Sequence, residues 1–343
     1  MQTNHIKIAF IGMGNVARAF ARLLIRHSEK IRNAYGLTCQ VTGIATGRHG
    51  SIVGHRGLDL EKCVAALEAG SSLTSLPGCA EVVDAIQMLE ECNAGIVFET
   101  SPLNPIDGEP AISFIRSALA RGAHVVTANK GPVAFAYREL REAAALHGVQ
   151  FRFEGAVMDG TPVFNLAEFC LPGATVLGFA GVLNSTTNII LSGMESGRSF
   201  DECLAEAQQA GIAEQNADYD IDGWDAAVKA VALATVLMDA DVTPQEVKRK
   251  GIREITAKDL AAAACSGNAI KLIARGRRLP GGAILSVGPE IVPVTSALGS
   301  VRGTSNVLIL QTDLMGEIAI VETDPAIDQT AYALLSDMIQ IYR

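Results

Sequence analysis

An apolar run of strand length, Ile6-Lys7-Ile8-Ala9-Phe10-Ile11, opens directly into Gly12-Met13-Gly14-Asn15-Val16-Ala17 and then into an amphipathic segment with helical spacing to about Ile31. Few local sequences leave a chain so little choice. The first glycine permits a tight turn, the second lets a pyrophosphate approach the backbone, and Ala17 stands where a small residue lets the helix pack on the strand. Free N–H groups and the dipole at the helix start favour an anion there. The run predicts a dinucleotide site over Gly12, Met13, Gly14, Asn15 and Val16.

A second strand, Leu37 to Ala45, ends in Thr46-Gly47-Arg48-His49. An acid at that position would bind a ribose 2′-hydroxyl. None is present, and Arg48 can face a 2′-phosphate instead, so the pattern favours NADP over NAD, with a solvated loop arginine as the plain alternative. Further strands are predicted over Gly95 to Phe98 and His124 to Thr127, alternating with helices over Ala80 to Glu91, Gly108 to Arg121 and Val133 to His147. Such alternation reads as a Rossmann-type, doubly wound parallel sheet. Glu99-Thr100-Ser101-Pro102 and Thr127-Ala128-Asn129-Lys130 fall at carboxyl ends of these strands, where open sheets bind ligands, so Thr100, Ser101 and Lys130 join the candidate cofactor contacts.

After Phe151-Arg152-Phe153 the pattern changes. Strands are predicted over Val176 to Leu183, Ile270 to Arg277, Ala283 to Val292, Asn306 to Gln311 and Glu317 to Val321. Helices are predicted over Thr161 to Leu171, Ser185 to Ser196, Phe200 to Ala210, Trp224 to Ala240 and Ala257 to Ala264. This is a second α/β domain with a mixed sheet. The expected division is 1–152 for the dinucleotide domain and 153–321 for the substrate domain, with 322–343, helical in spacing, packing back on the first.

The 343 residues exceed the usual size of one core. A formal charge of −9 with 49% apolar residues argues against nucleic acid and fits an enzyme that binds small molecules. Apolar windows such as Ala226 to Met238 are too short to span a bilayer, and the N-terminus enters a strand without a secretory pattern, so the chain reads as cytoplasmic. The seven cysteines are scattered without C-x-x-C spacing and are expected as buried fillers. All six histidines lie at or before His147, so proton chemistry in the second domain falls to carboxylates and lysine.

Lysine is scarce there, and one stands out. Gly211 to Lys229 reads Gly-Ile-Ala-Glu-Gln-Asn-Ala-Asp-Tyr-Asp-Ile-Asp-Gly-Trp-Asp-Ala-Ala-Val-Lys, placing Glu214, Asp218, Asp220, Asp222 and Asp225 ahead of Lys229, with Glu206 one helix earlier. Asp225 and Lys229 are four apart, in the acid-before-base order a helix favours. The apolar run that follows expects Lys229 at the end of a buried rod. Taken alone, the pair also reads as an ordinary surface ion pair.

These segments resemble homoserine dehydrogenases, which interconvert aspartate 4-semialdehyde and homoserine with a nicotinamide in amino-acid biosynthesis, toward threonine and methionine. The likeness runs from Gly12 to about Met238, through Gly12 to Val16, Thr127-Ala128-Asn129-Lys130-Gly131-Pro132, Gly181-Val182-Leu183-Asn184-Ser185-Thr186-Thr187-Asn188 and Gly211 to Lys229. It implies Lys229 as proton donor, Lys130 by the nicotinamide and substrate, Glu214, Asp220 and Asp225 toward the amino acid, and Gly211 toward the cofactor. Thr186 and Ser185, at a helix start, would receive the substrate carboxylate. Glu154, with the carbonyls of Val157, Asp159 and Thr161, resembles a loop for sodium. A homodimer through the second domain, with hydride passing across the interdomain cleft, is also implied.

Departures accompany the likeness. Asp159 stands where the family has glycine or alanine, Ser185 where it has glycine, and Ile212 where it has an aromatic residue. Glu322-Thr323-Asp324-Pro325-Ala326-Ile327 replaces a glycine-rich turn. These leave two rivals: a dehydrogenase of another short hydroxy or amino-hydroxy acid, and a nucleotide-binding regulator without turnover.

Overall fold

The computed structural model describes residues 3–343, which form two compact units: 3–162 with Ala326–Arg343, and Val163–Pro325. The break therefore comes ten residues later than the pattern change at 152, and residues 153–162 belong with the first unit.

In the first unit, strands β1 (Asn4–Ile11), β2 (Leu37–Ala45), β3 (Ser51–Val53), β4 (Ala80–Val82), β5 (Ile96–Glu99), β6 (His124–Thr127) and β7 (Phe151–Arg152) form one sheet in the order β4-β3-β2-β1-β5-β6-β7. From β2 to β7 neighbouring strands are parallel. Ile8, Ala9 and Phe10 are wholly buried, as expected when helices cover both faces of a parallel sheet. Strands β3 and β4 add to the β2 edge in antiparallel fashion. Ala80–Val82 is thus a strand, not the start of a helix. The Asp84 carboxylate accepts the Gln87 N–H (2.9 Å) and the Gln87 carboxamide accepts the Val83 N–H (2.8 Å), so the helix begins only at Ala85.

The covering helices are α1 (Asn15–Tyr35), α2 (Leu60–Glu68), α3 (Ala85–Glu91), α4 (Ala111–Ala120) and α5 (Lys130–Leu146). Phe10, Phe20 and Phe98 lock α1 to the sheet, with ring centroids 4.5 to 6.0 Å apart. Residues Ile327–Ile341 form a final helix, whose Ala331, Leu334, Leu335, Met338 and Ile339 share this core. The 153–162 segment is pinned to that helix: Asp337 accepts the Glu154 N–H (2.8 Å), and Asp159 accepts the Thr330 hydroxyl (2.7 Å).

In the second unit, β8 (Val176–Val182), β9 (Lys248–Arg249), β10 (Asn268–Leu279), β11 (Gly282–Pro293), β12 (Asn306–Thr312) and β13 (Gly316–Glu322) form a mixed sheet in the order β13-β12-β8-β10-β11-β9. Its helices are α6 (Ser185–Glu195), α7 (Phe200–Gln209), α8 (Asp218–Ile221), α9 (Trp224–Met238), α10 (Ala257–Cys265) and α11 (Ala297–Ser300), which makes the helix over Ile327–Ile341 α12. Alanine-rich α9 is buried on nearly every side. The helix expected over Thr161 to Leu171 is instead a wide π-helical turn, Leu166–Cys170, with none of its side chains buried. That turn and the end of α10 expose Cys170 and Cys265, so the cysteines are not uniformly core fillers; Cys63, Cys92 and Cys203 are buried. Among the described residues no helix is long and apolar enough to cross a membrane.

A side chain at Gly160 would place its Cβ 2.1 Å from the Gln329 carbonyl oxygen, so α12 can dock only on a bare backbone. Gly160→Ala is expected to lower unfolding stability by about 1–3 kcal/mol in a denaturant titration. An unchanged midpoint would show that this contact does not hold the segment.

Candidate active site

At the head of the first sheet, Gly12 has φ +84 and sits so close to β5 that a Cβ would lie 2.7 Å from the Thr100 carbonyl. The turn is held from both sides: Gly12 donates its N–H to Ala45 (2.9 Å), and Thr100 donates its hydroxyl to the Gly12 carbonyl (3.1 Å). Gly14, by contrast, has ordinary extended φ and ψ at the N-cap of α1, and a Cβ there would meet nothing within 4 Å. Open space over a helix start with unpaired N–H groups fits a pyrophosphate. Met13 is buried, Val16 packs against the core, Asn15 accepts from Arg18 (2.7 Å), and Ala17 is wholly buried against the sheet. Arg48 is exposed on the turn after β2.

The carboxyl ends of β5 and β6 are joined by a buried carboxylate. Glu99, with no exposed surface, accepts the Ser101 N–H (2.8 Å), the Ser101 hydroxyl and the Thr127 hydroxyl (2.8 Å). Thr127 in turn accepts the Asn129 N–H (2.9 Å), and Asn129 donates to the Ser101 carbonyl (3.2 Å) while capping α5 through Gly131 N–H (3.0 Å). Burial raises the Glu99 pKa, and the bonds from Ser101, Thr127 and Asn129 pull it back. The network fixes Lys130 as the first residue of α5, three residues before the predicted start. A cation at the positive end of a helix is unfavourable for the helix itself.

In the second unit the six acids separate. Asp218 and Asp222, four apart, both meet Arg253 on the surface, and Glu206 pairs with Arg198. Asp220 and Asp225 turn inward. The Asn184 carboxamide donates to both, at 2.9 Å each, while its oxygen caps α6 by accepting the Thr187 N–H (2.8 Å). Thr186 donates its hydroxyl to Asp220 (2.7 Å). Burial, and then the neighbouring Asp225 charge, raise the Asp220 pKa; Thr186, Asn184 and Lys229 oppose this. Lys229 Nζ donates to the Leu183 carbonyl (2.6 Å) and lies 3.3 Å from Asp225. Side-chain exposure is 17% for Lys229 and 9% for Asp225, so the surface-pair reading does not hold. Lys229 is the sixth residue of α9, not the end of the rod.

The structure thus joins Asn184, Thr186, Asp220, Asp225 and Lys229. Ser185 stands beside them and donates to the Thr304 carbonyl (2.8 Å). Glu214 lies exposed in the loop after α7, outside this hydrogen-bonded cluster; Gly211, at the end of α7, has φ +71, and Ile212 is exposed. In the first unit, Glu154 and Val157 are buried on the 153–162 segment, Asp159 has φ +43, and Thr161 donates its N–H to Met158 (2.8 Å). Among the described residues no cluster of three or more His, Cys, Asp or Glu could hold a metal. The burial of Glu99 and the bridging by Asn184 emerge only in the fold. An Asn immediately before a helix was the available signal for the latter.

Comparison with known proteins closes the assignment. Residues 162–339 match the homoserine dehydrogenase family, and residues 12–154 match the homoserine dehydrogenase NAD binding domain. The chain belongs to the homoserine dehydrogenase family. It is 37% identical to an NAD(+)-dependent homoserine dehydrogenase of Pseudomonas canavaninivorans, over 98% of this chain and 96% of the relative. A solved structure from Archaeoglobus fulgidus superposes with a TM-score of 0.88 at 34% identity, covering 98% of this chain and 99% of that one. A hyperthermophilic archaeal homoserine dehydrogenase in complex with NADPH gives 0.83 at 28% identity, covering 98% of each chain. The family match continues to residue 339, well past Met238, where the sequence likeness was thin. By family the chain is an NAD(P)-dependent oxidoreductase, which removes the regulator without turnover.

Because Gly14 is bare over open space, Gly14→Ala is expected to weaken dinucleotide binding roughly tenfold or more while leaving thermal stability unchanged. Gly12→Ala should destabilise the fold itself. Calorimetric titration beside a thermal melt tests both, and equal dinucleotide affinity in Gly14→Ala would remove the pyrophosphate from this turn.

Proposed function

We propose that the protein interconverts homoserine and aspartate 4-semialdehyde, with Lys229 moving the proton at the substrate oxygen and Lys130 assisting. The observation that carries this reading is the Lys229 ammonium, held by the Leu183 carbonyl and Asp225 beside the inward-facing Asp220. A bound nicotinamide supplies or accepts the hydride at the carbon that bears that oxygen. In the reducing direction negative charge develops on the oxygen, and an ammonium fixed at its base by a carbonyl and a carboxylate can deliver a proton without reorganising. In the oxidising direction the same nitrogen receives the proton. Asp220 and Asp225, with Glu214, are proposed to receive the substrate ammonium, and the start of α6 at Ser185 and Thr186 its carboxylate. Two carboxylates held close together by one carboxamide have reason to bind a cation.

Glu99, Thr127 and Asn129 hold the strand ends from which Thr100, Ser101 and Lys130 project, so their role in the proposal is to orient. Gly211 stays a proposed cofactor contact. For the cofactor, Arg48, exposed and without an acid at the strand end, supports NADP. The NAD(+)-dependent Pseudomonas canavaninivorans relative favours NAD as the second reading. A sodium ion held by Glu154 with backbone oxygens of Val157, Asp159 and Thr161 belongs to the same proposal. So does a homodimer formed through the second unit, which exposes Leu177, Leu314, Met315 and Val321.

Lys229→Ala is expected to lower kcat for homoserine oxidation by roughly 10²–10⁴ with dinucleotide affinity retained. Turnover at the parent rate in steady-state assays would end the proton-donor role, and an inactive parent with homoserine and either nicotinamide would favour another hydroxy acid. Arg48→Ala should raise KM for NADP several-fold and leave KM for NAD alone. A parallel change for both coenzymes, or for neither, would end the 2′-phosphate reading.

A further inference from the structure

Lys271, on β10, is a lysine with no exposed surface. Its cross-strand neighbour Glu290 is taken by Arg275, which donates to it at 2.7 and 2.8 Å, so Lys271 has no carboxylate partner across the strand. Its ammonium donates instead to two neutral acceptors, the Asn188 carboxamide oxygen and the Val301 carbonyl, at 2.8 Å each. Burying a cation against neutral groups is costly, and an apolar side chain of the same length would avoid that cost. Burial, and then the nearby Arg302 charge, push the Lys271 pKa down to about 8, while Glu195 acts the other way. Stability alone does not account for a charge placed there.

What the charge fixes is the orientation of Asn188. A carboxamide has one acceptor end and one donor end, and Lys271 claims the acceptor. The amide nitrogen must then point the other way, where it donates to the carbonyls of Gly303 (3.0 Å) and Ser305 (3.1 Å). One turn earlier on α6, the Ser185 hydroxyl donates to the Thr304 carbonyl between them. Three successive carbonyls are thereby tied to the first turns of α6. The same turns carry Asn184 and Thr186, which hold Asp220 and Asp225.

We propose that Lys271 is a positioning residue for the substrate: by orienting Asn188 it clamps the 303–305 segment to α6 and so fixes the wall that receives the homoserine carboxylate. This rests on the homoserine reading above. It also gives Ser185, a departure from the family's glycine, a use as the second clamp on the same segment.

The test is steady-state kinetics of the full-length enzyme with homoserine and its preferred nicotinamide, for Lys271→Met and Asn188→Asp. In Asn188→Asp an oxygen still meets Lys271, but nothing can be donated to Gly303 and Ser305. Each variant is expected to raise KM for homoserine roughly tenfold, with kcat and KM for the nicotinamide close to parent. The double variant should be no worse than either single one, because the two residues act in series. Ser192→Ala, on the same helix and outside the clamp, should keep the parent KM. Parent KM for homoserine in both folded variants would overturn the proposal, as would equal losses for homoserine and nicotinamide. If Lys271→Met does not fold, Asn188→Asp alone decides. A parent enzyme inactive on homoserine would instead overturn the underlying reading, and the two failures are distinguishable.

Discussion

Two carboxylates share one carboxamide: Asp220 and Asp225 both accept from Asn184, whose oxygen is committed to the first turn of α6. The buried polar cluster of the second unit is built on that sharing. A carboxamide nitrogen has two hydrogens, and both are used, so the two acids are held at one spacing and cannot drift apart. Their mutual repulsion, in a place where burial already disfavours charge, leaves a standing demand for a cation. Lys229 answers part of that demand through Asp225. The same arrangement orients α6, because the residue that bridges the acids is also its cap.

The first unit solves a related problem with a single acid. Glu99 is buried at the end of β5, and its oxygens are met by Ser101 and Thr127. Through Asn129 the bonds continue to the start of α5, so the strand ends that face the dinucleotide turn form one hydrogen-bonded body. In both units a buried carboxylate ties together segments at the ends of strands, next to the helices that carry Lys130 and Lys229. A buried acid costs less when its acceptors are met, and here the satisfying donors come from the segments that are fixed.

Much of this could be read from the chain and some could not, for physical reasons. The glycine turn was legible because backbone geometry demands glycine at Gly12, where the backbone of Thr100 and Ser101 just after β5 leaves no room for a Cβ. The long strands and α9 were legible through unbroken apolar runs. Three-residue strands such as β3 and β4 carry too little pattern to register, and the mistaken helix start at Ala80 followed from that, although Asp84 and Gln87 spelled the true cap. The acids before Lys229 were recognised as a group but not sorted. Asp218 and Asp222 lie four apart and so share the outer face with Arg253, whereas Asp220 falls between them and faces inward. Glu214 lies on the exposed loop after α7, outside the bonds that hold the inner pair. Lys271 was invisible for the opposite reason: it sits inside an apolar strand, where composition announces core, and only the fold brings Asn188 and Val301 to its ammonium.

The contribution of α12 to the first unit has a consequence for synthesis. Its Leu334 and Met338 complete the core around Phe10 and Phe20, yet all of Val163–Pro325 lies between that helix and the rest of the unit. A chain leaving the ribosome at roughly 5–20 residues per second therefore carries an unfinished nucleotide fold, its apolar flank bare, for on the order of ten seconds. During that interval the nascent sheet is open to wrong partners, and the intervening unit must fold without displacing it.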